Sequence, residues 1–211
     1  MNNRLMLAMT VCAVAIVAFK PDLARSDEVL RPGNDINCTN LTSPTEDVDW
    51  LTARYGRQAR IEELSDTEGE PYDGVALYPD DARLRVEIEP FGNIKGHIAG
   101  INLIQKDSRW TIFGLKMGMS LEDVTAANRA PLKLTGFWQF AGGNYSAFGD
   151  FRPGQLGGGC RLIVSFGSPV PLKADDPLYG RDEIFSNDPD LMKRKPAVDG
   201  LFVVWDKPVE E

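Results

Sequence analysis

The chain has 211 residues, with 23 Lys and Arg against 31 Asp and Glu, one His, three Cys and 43% hydrophobic residues, a composition of globular rather than disordered or collagenous proteins. Its net charge of -8 works against nucleic-acid binding, because phosphate backbones are gripped by clustered Lys and Arg. One His rules out a multi-His zinc site and leaves little material for a His-dependent triad.

Arg4 followed by the uncharged apolar run Leu5 to Phe19, ended by Lys20 and Pro21, has the form of a secretory signal. Ala24-Arg25-Ser26 puts small residues at positions -3 and -1 of a cleavage site, so residues 1–26 are expected to be a signal peptide and the mature chain to start at Asp27. As a helix the run would span roughly 22 Å against a hydrocarbon core of roughly 30 Å, which favours cleavage over a retained anchor. Cys12 lies inside the run after Val11, where a lipidated Cys would follow a small residue at its end, so it is read as discarded with the signal. Cys38 and Cys160 then remain in a chain sent to an oxidising compartment and are expected to be bonded. The alternative, a redox-active thiol pair, lacks Cys-x-x-Cys spacing. The expected location is periplasmic or secreted, with no stable membrane anchor after cleavage.

Asp27 to Leu41, rich in Asn, Asp, Pro and Gly, reads as an irregular arm pinned at Cys38. Ser43-Pro44-Thr45-Glu46 has the residues of a capping box with Pro at the first helical position, and Val48, Leu51 and Tyr55 recur at helical spacing until Gly56. Strand-like segments follow at Ala59 to Leu64, Val75 to Tyr78, Leu84 to Glu89 and His97 to Gln105, separated by turns at Gly69-Glu70-Pro71, Pro79-Asp80-Asp81 and Phe91-Gly92-Asn93. In Leu84 to Glu89 the charged residues alternate with apolar ones, as a sheet with one solvated face requires.

In the second half Ser120 is an N-cap with Glu122 and Asp123 in the first turn, and the helix is predicted to reach about Arg129 before Pro131. Strands are predicted at Leu132 to Trp138, Tyr145 to Phe148, Cys160 to Phe166 and Leu201 to Trp205, with turns at Gly142-Gly143 and Gly157-Gly158-Gly159. Pro169, Pro171, Asp175, Asp176 and Pro177 mark an ordered excursion. Two halves, 27–105 and 106–211, each read as a helix followed by strands. Glu46-Asp47-Val48 and Glu122-Asp123-Val124 hint at an internal duplication. The expected fold is α+β, predominantly antiparallel sheet with two short helices packed on one side, either as one compact unit or as two closely packed subdomains bridged by the disulfide.

The segment Gly114-Leu115-Lys116-Met117-Gly118-Met119-Ser120-Leu121-Glu122-Asp123-Val124, continuing through Asn128, Pro131, Gly136-Phe137 and Gly142-Gly143 to Gly159-Cys160, resembles an uncharacterised family of exported bacterial proteins. The likeness is best over Trp110 to Phe166. More distantly, a Gly-Met-Ser helix followed by Pro and an antiparallel hairpin is similar to the SmpA/OmlA-type small envelope lipoproteins and to the beta-lactamase-inhibitor-protein-like fold, whose members bind other proteins. The resemblance implies a binding scaffold. The chain departs from those lipoproteins in lacking a usable lipidated Cys and in its greater length.

Among candidate chemistry, Gly157-Gly158-Gly159 lacks the Gly-Lys-Ser/Thr of a phosphate loop, and His97 has no second His beside it for zinc. The acids Asp66, Glu68 and Glu70, and Asp182, Glu183, Asp188 and Asp190, do not follow the twelve-residue calcium loop and read as solvated faces. No catalytic residue, metal or cofactor is assigned. Aromatics around a hairpin, Trp138, Phe140, Tyr145 and Phe148, form the candidate binding patch, because outward aromatic rings anchor many interfaces. The sequence therefore points to an exported, non-enzymatic binding or envelope-accessory protein that recognises another protein, such as one of the envelope. The alternative is a carboxylate-dependent cell-envelope hydrolase.

Overall fold

In a computed structural model of the chain, residues 30–205 are described, apart from residues 32, 67, 140–144, 153, 171 and 174, and for Gln139 and Tyr145 the backbone alone. The signal-peptide segment and Gly142-Gly143 lie outside the described residues. Fourteen of the elements needed below are, in chain order, β1 (Asp35–Ile36), α1 (Val48–Tyr55), β2 (Ala59–Ser65), β3 (Pro71–Leu77), β4 (Val86–Pro90), β5 (Ile98–Leu103), β6 (Thr111–Ile112), α2 (Leu121–Asn128), β7 (Lys133–Leu134), β8 (Trp138–Gln139), β9 (Tyr145–Phe151), β10 (Cys160–Gly167), β11 (Ile184–Phe185) and α3 (Pro189–Arg194). The last is β12 (Ala197–Trp205).

Ten strands form one antiparallel sheet in the order β11-β7-β9-β10-β12-β5-β4-β3-β2, with β8 paired to β9. The fold is α+β, as composition and alternation predict. Among the described residues three α-helices rather than two accompany it: α3 is capped by Asp188, whose carboxylate accepts from the amides of Asp190 and Leu191, with Pro189 at the first helical position. The core lies on one sheet face, where Val75, Ile88, Ile101, Leu103, Leu162, Val164, Leu201 and Val203 meet Val48, Leu51 and Tyr55 of α1, Leu121 and Val124 of α2, and Leu191 of α3.

The start of α1 departs from the predicted capping box. Glu46 does bond back to the Ser43 amide at 2.9 Å, but residues 43–46 close a turn and the helix begins one turn later, where Asp47 accepts from the Trp50 amide at 2.8 Å. Helix α2 begins as predicted, on Ser120, whose hydroxyl oxygen accepts from the Asp123 amide at 3.1 Å. The single strand predicted from Leu132 to Trp138 is two short ones. Between them Gly136 lies against the backbone of Arg181, where a Cβ would stand 2.3 Å from the Arg181 nitrogen. Strand β12 starts at Ala197, earlier than predicted, because a bulge at Asp199 interrupts the alternation.

The two halves repeat one pairing scheme. Asp47 and Ser120 cap α1 and α2, and form isolated bridges to His97 and Ala197 respectively. The Ile98 amide donates to the Glu46 carbonyl at 3.0 Å, and the Val198 amide donates to the Met119 carbonyl at 2.9 Å. Strands β2-β3-β4-β5 correspond to β7-β9-β10-β12, and each last pair carries a bulge at the same place, after Ile98 and after Val198. The last strands of the two halves then pair with each other, Asn102 opposite Phe202, which puts an approximate two-fold axis between those residues. The Glu-Asp-Val triplets are out of register with this repeat: Val48 opens α1, whereas Val124 is a turn into α2, where its counterpart is Leu51.

The arm is built in rather than loose. Leu30, Ile36, Cys38 and Leu41 are buried, and β1 pairs in parallel with β6, where the Asp35 carboxylate accepts from the Thr111 hydroxyl and the Gly114 amide. Cys38 is bonded to Cys160 at the start of β10, with a Cα–Cα distance of 5.7 Å. Gly158, at φ 86°, makes room for this link: a Cβ there would lie 2.7 Å from that of Cys38. Replacing both cysteines by Ser is expected to lower stability by about 2 to 5 kcal/mol, read as a lower urea midpoint. Gly158→Ala is expected to destabilise by about 1 kcal/mol or more with the disulfide intact, through backbone strain and crowding at Cys38.

Candidate functional site

With helices and arm on one face of the sheet, the other, outer face holds the side chains that alternate away from the core. On the β2–β5 side these are Glu62, Tyr72, Glu87, Glu89 and Asn102. Arg85 lies among them: its guanidinium pairs with Glu62 at 2.7 Å and donates to Glu87 at 2.9 Å. This is a correction to the expected solvated face of β4, since Glu87 is buried, and its charge is tolerated because Arg85 pays the desolvation. Asn102 donates to the Tyr72 hydroxyl at 3.4 Å. Burial pushes the Tyr72 phenol up to about 12, helped by the nearby Glu89 and Glu87 charges, and burial also raises Glu89 above the usual carboxylate range.

On the β9–β12 side the same face turns apolar. Phe148, Ile163, Phe202 and Val204 are half-buried there, and the rings of Phe148 and Phe202 lie 6.2 Å apart. Beside them the Asp199 carboxylate accepts from the hydroxyls of Ser146 at 2.7 Å and Ser165 at 2.6 Å. Both hydroxyls are spent on the one carboxylate, and the trio braces the bulge at Asp199. A groove of about 600 Å³ opens at the edge of this region, with Phe148 and Ile163 among its walls and the charged Lys133, Asp150, Arg152 and Asp182 around them.

Of the predicted patch, Trp138 is 44% exposed and sits opposite Ser146, on the face that Phe148 shares. Its ring leans over Gly180 and toward Tyr179, at 6.3 Å. Phe140 and the Tyr145 side chain lie outside the described residues. His97 is exposed, and its backbone bridges Asp47. Asp66 caps the β2–β3 turn through the amides of Glu68 and Glu70, while Glu183, Asp188 and Asp190 pair with Lys133, Arg181 and Lys193. Among the described residues, no group of three or more His, Cys, Asp and Glu is placed to hold a metal ion.

Sequence reading missed Ile163, Phe202 and the Glu62–Arg85–Glu87 triad. Alternation in Leu84 to Glu89 marks Arg85 and Glu87 as outward, but Leu201 to Trp205 is apolar throughout, and the meeting of these side chains depends on a strand order that alternation does not encode. Compared with known protein families, with curated proteins and with solved structures, the chain matches none.

The raised Glu89 sets a pH dependence. The folded protein keeps a proton that the unfolded chain releases near 4.5, so this group's contribution to stability is fully present below that value and is lost as pH rises through the folded pKa. Glu89→Gln is expected to remove that decline and to raise the urea midpoint at pH 7 relative to pH 4, compared with the parent protein. An unchanged difference between the two pH values would count against a buried, proton-holding Glu89.

Proposed function

We propose that this is an exported, non-enzymatic binding protein, periplasmic or secreted, whose outer sheet face recognises another protein. The half-buried apolar strip of Phe148, Ile163, Phe202 and Val204 carries the reading, because it lies on the face that the helices and arm leave uncovered and runs into a groove rimmed by both charge signs. Apolar centres with charged surrounds are the usual anatomy of protein recognition. The Cys38–Cys160 bond fits an oxidising compartment, and no helix among the described residues is long and apolar enough to cross a membrane.

The rival hydrolase reading needs two carboxylates facing a substrate with their charges available. Glu62 and Glu87 are held by Arg85, and Asp150 of the groove is paired with Arg161 at 3.5 Å. Glu89 lies beside the half-buried Tyr72–Asn102 pair, where burial favours its neutral form. The arrangement favours recognition over bond cleavage.

Phe202→Glu and Ile163→Glu place charge in the strip without touching the core face. The disulfide-bonded protein, immobilised and exposed to envelope extract, is expected to retain a partner that each variant loses by about 2 kcal/mol or more of binding free energy. If parent and folded variants retain the same proteins equally, the outer face is not the recognition surface.

A further inference from the structure

The repeat makes the two outer edges of the sheet comparable, and they differ. In the second half the edge strand β7 is covered by β11, with Ile184 opposite Leu134 and Phe185 opposite Lys133. The Ser186 amide donates to the Leu132 carbonyl at 2.9 Å, and the Lys133 ammonium pairs with Glu183. In the first half the corresponding strand is β2, where Ile61 takes the place of Leu134 and Arg60 that of Lys133, and it ends the sheet. No strand among the described residues lies beyond it.

The hydrogen-bonding phase of β2 is fixed by its neighbour. The Tyr78 amide donates to the Gln58 carbonyl, and the Asp66 amide donates to the Glu70 carbonyl, so the even-numbered residues between them turn their backbone groups toward β3. Ile61 and Glu63 turn theirs outward, as Leu132 and Leu134 do toward β11. Ala59 adds an outward carbonyl, its amide being bonded to Gly56. A seven-residue edge with outward amides is a template for another strand. The Ile61 side chain stays 51% exposed.

We propose that the open edge of β2 is a self-association surface, where a second copy of this chain adds antiparallel with Ile61 opposite Ile61 of that copy. The charges select this occupant and register. Centred on Ile61, each Arg60 faces Glu62 of the other copy, while Ala59 faces Glu63. Centred on Glu62 or Glu63, a carboxylate would face its own twin, which is unfavourable. The chosen register gives each copy an Ile61 amide donating to the other copy's Ile61 carbonyl and a Glu63 amide donating to its Ala59 carbonyl. Ile61 against Ile61 reproduces the apolar pair Leu134 and Ile184, and Arg60, paired within its own chain with Asp80 at 3.0 Å and Glu62 at 3.6 Å, meets a further acid across the strand. This proposal is independent of the outer-face reading.

The test is the mass of the disulfide-bonded protein by sedimentation equilibrium, which is expected to approach two chains as concentration rises. Ile61→Pro removes an outward amide and the exposed Ile61 side chain but no bond to β3, so the fold should survive while the dimer dissociation constant rises about a hundredfold. Hydrogen exchange needs no variant: the Ile61 and Glu63 amides are expected to be protected in concentrated solution and to lose protection on dilution. A parent protein that stays monomeric, a dimer unaffected by Ile61→Pro, or rapid exchange at Ile61 in the concentrated sample would overturn the proposal.

Discussion

The antiparallel seam between β5 and β12 is the constraint on which the architecture rests. Each half, taken alone, would end in a strand with a row of unpaired amides and carbonyls, and pairing those strands removes both open edges at once. The seam also sets the spacing of the core, because Ile101 and Leu103 of one half lie directly opposite Val203 and Leu201 of the other, all fully buried. Packing is tight at Gly100, where a Cβ would stand 3.1 Å from the Val203 carbonyl oxygen, and at its counterpart Gly200, over which the Phe202 ring lies. The bulges beside these glycines twist both strands in the same sense.

Equivalent positions on the two faces have met different physical demands. Toward the core, Val86 and Ile88 correspond to Leu162 and Val164, and Ile98 and Ile101 to Val198 and Leu201, so apolar volume is kept in both halves. Toward the outer face, Glu87 corresponds to Ile163, Glu89 to Ser165, and Asn102 to Phe202. The core tolerates exchange only among side chains of similar size and polarity. The outer face has no such restriction, and there the same scaffold carries an ion-paired cluster on one side of the axis and an aromatic strip on the other.

How far the sequence discloses this depends on whether a feature is local. The Ser120 cap, the strands Ala59 to Leu64 and Cys160 to Phe166, and the Gly157–Gly159 turn are local, and periodicity or turn chemistry reveals them. The Cys38–Cys160 bond follows from the expected oxidising compartment together with cysteine number. Helix α3 was also legible, in Asn187-Asp188-Pro189, but it hides inside a stretch otherwise rich in turn residues. Register was not legible. The Glu-Asp-Val triplets suggested a repeat in the wrong alignment, because surface residues in a first turn recur by composition, whereas the true repeat lies in backbone bonds from Ile98 and Val198 that leave no residue signature. The candidate site suffered likewise: Trp138 and Phe148 were found by their type, but Phe202 joins Phe148 only through the pairing of β9, β10 and β12.

The departure from symmetry at the ends of the sheet follows from the same logic as the seam. Residues between β10 and β12 supply β11 and α3, which have no counterpart between β4 and β5. Leu172, Leu178, Ile184 and Leu191 from this excursion are buried, so it enlarges the core while β11 closes the β7 edge. It also brings Asp182 to the groove and sets Tyr179 and Gly180 under Trp138. The added segment thus shapes the apolar side of the outer face, and β2, without such an addition, keeps its edge open among the described residues. A chain folded from two like halves gains its specific surfaces where the halves stop matching.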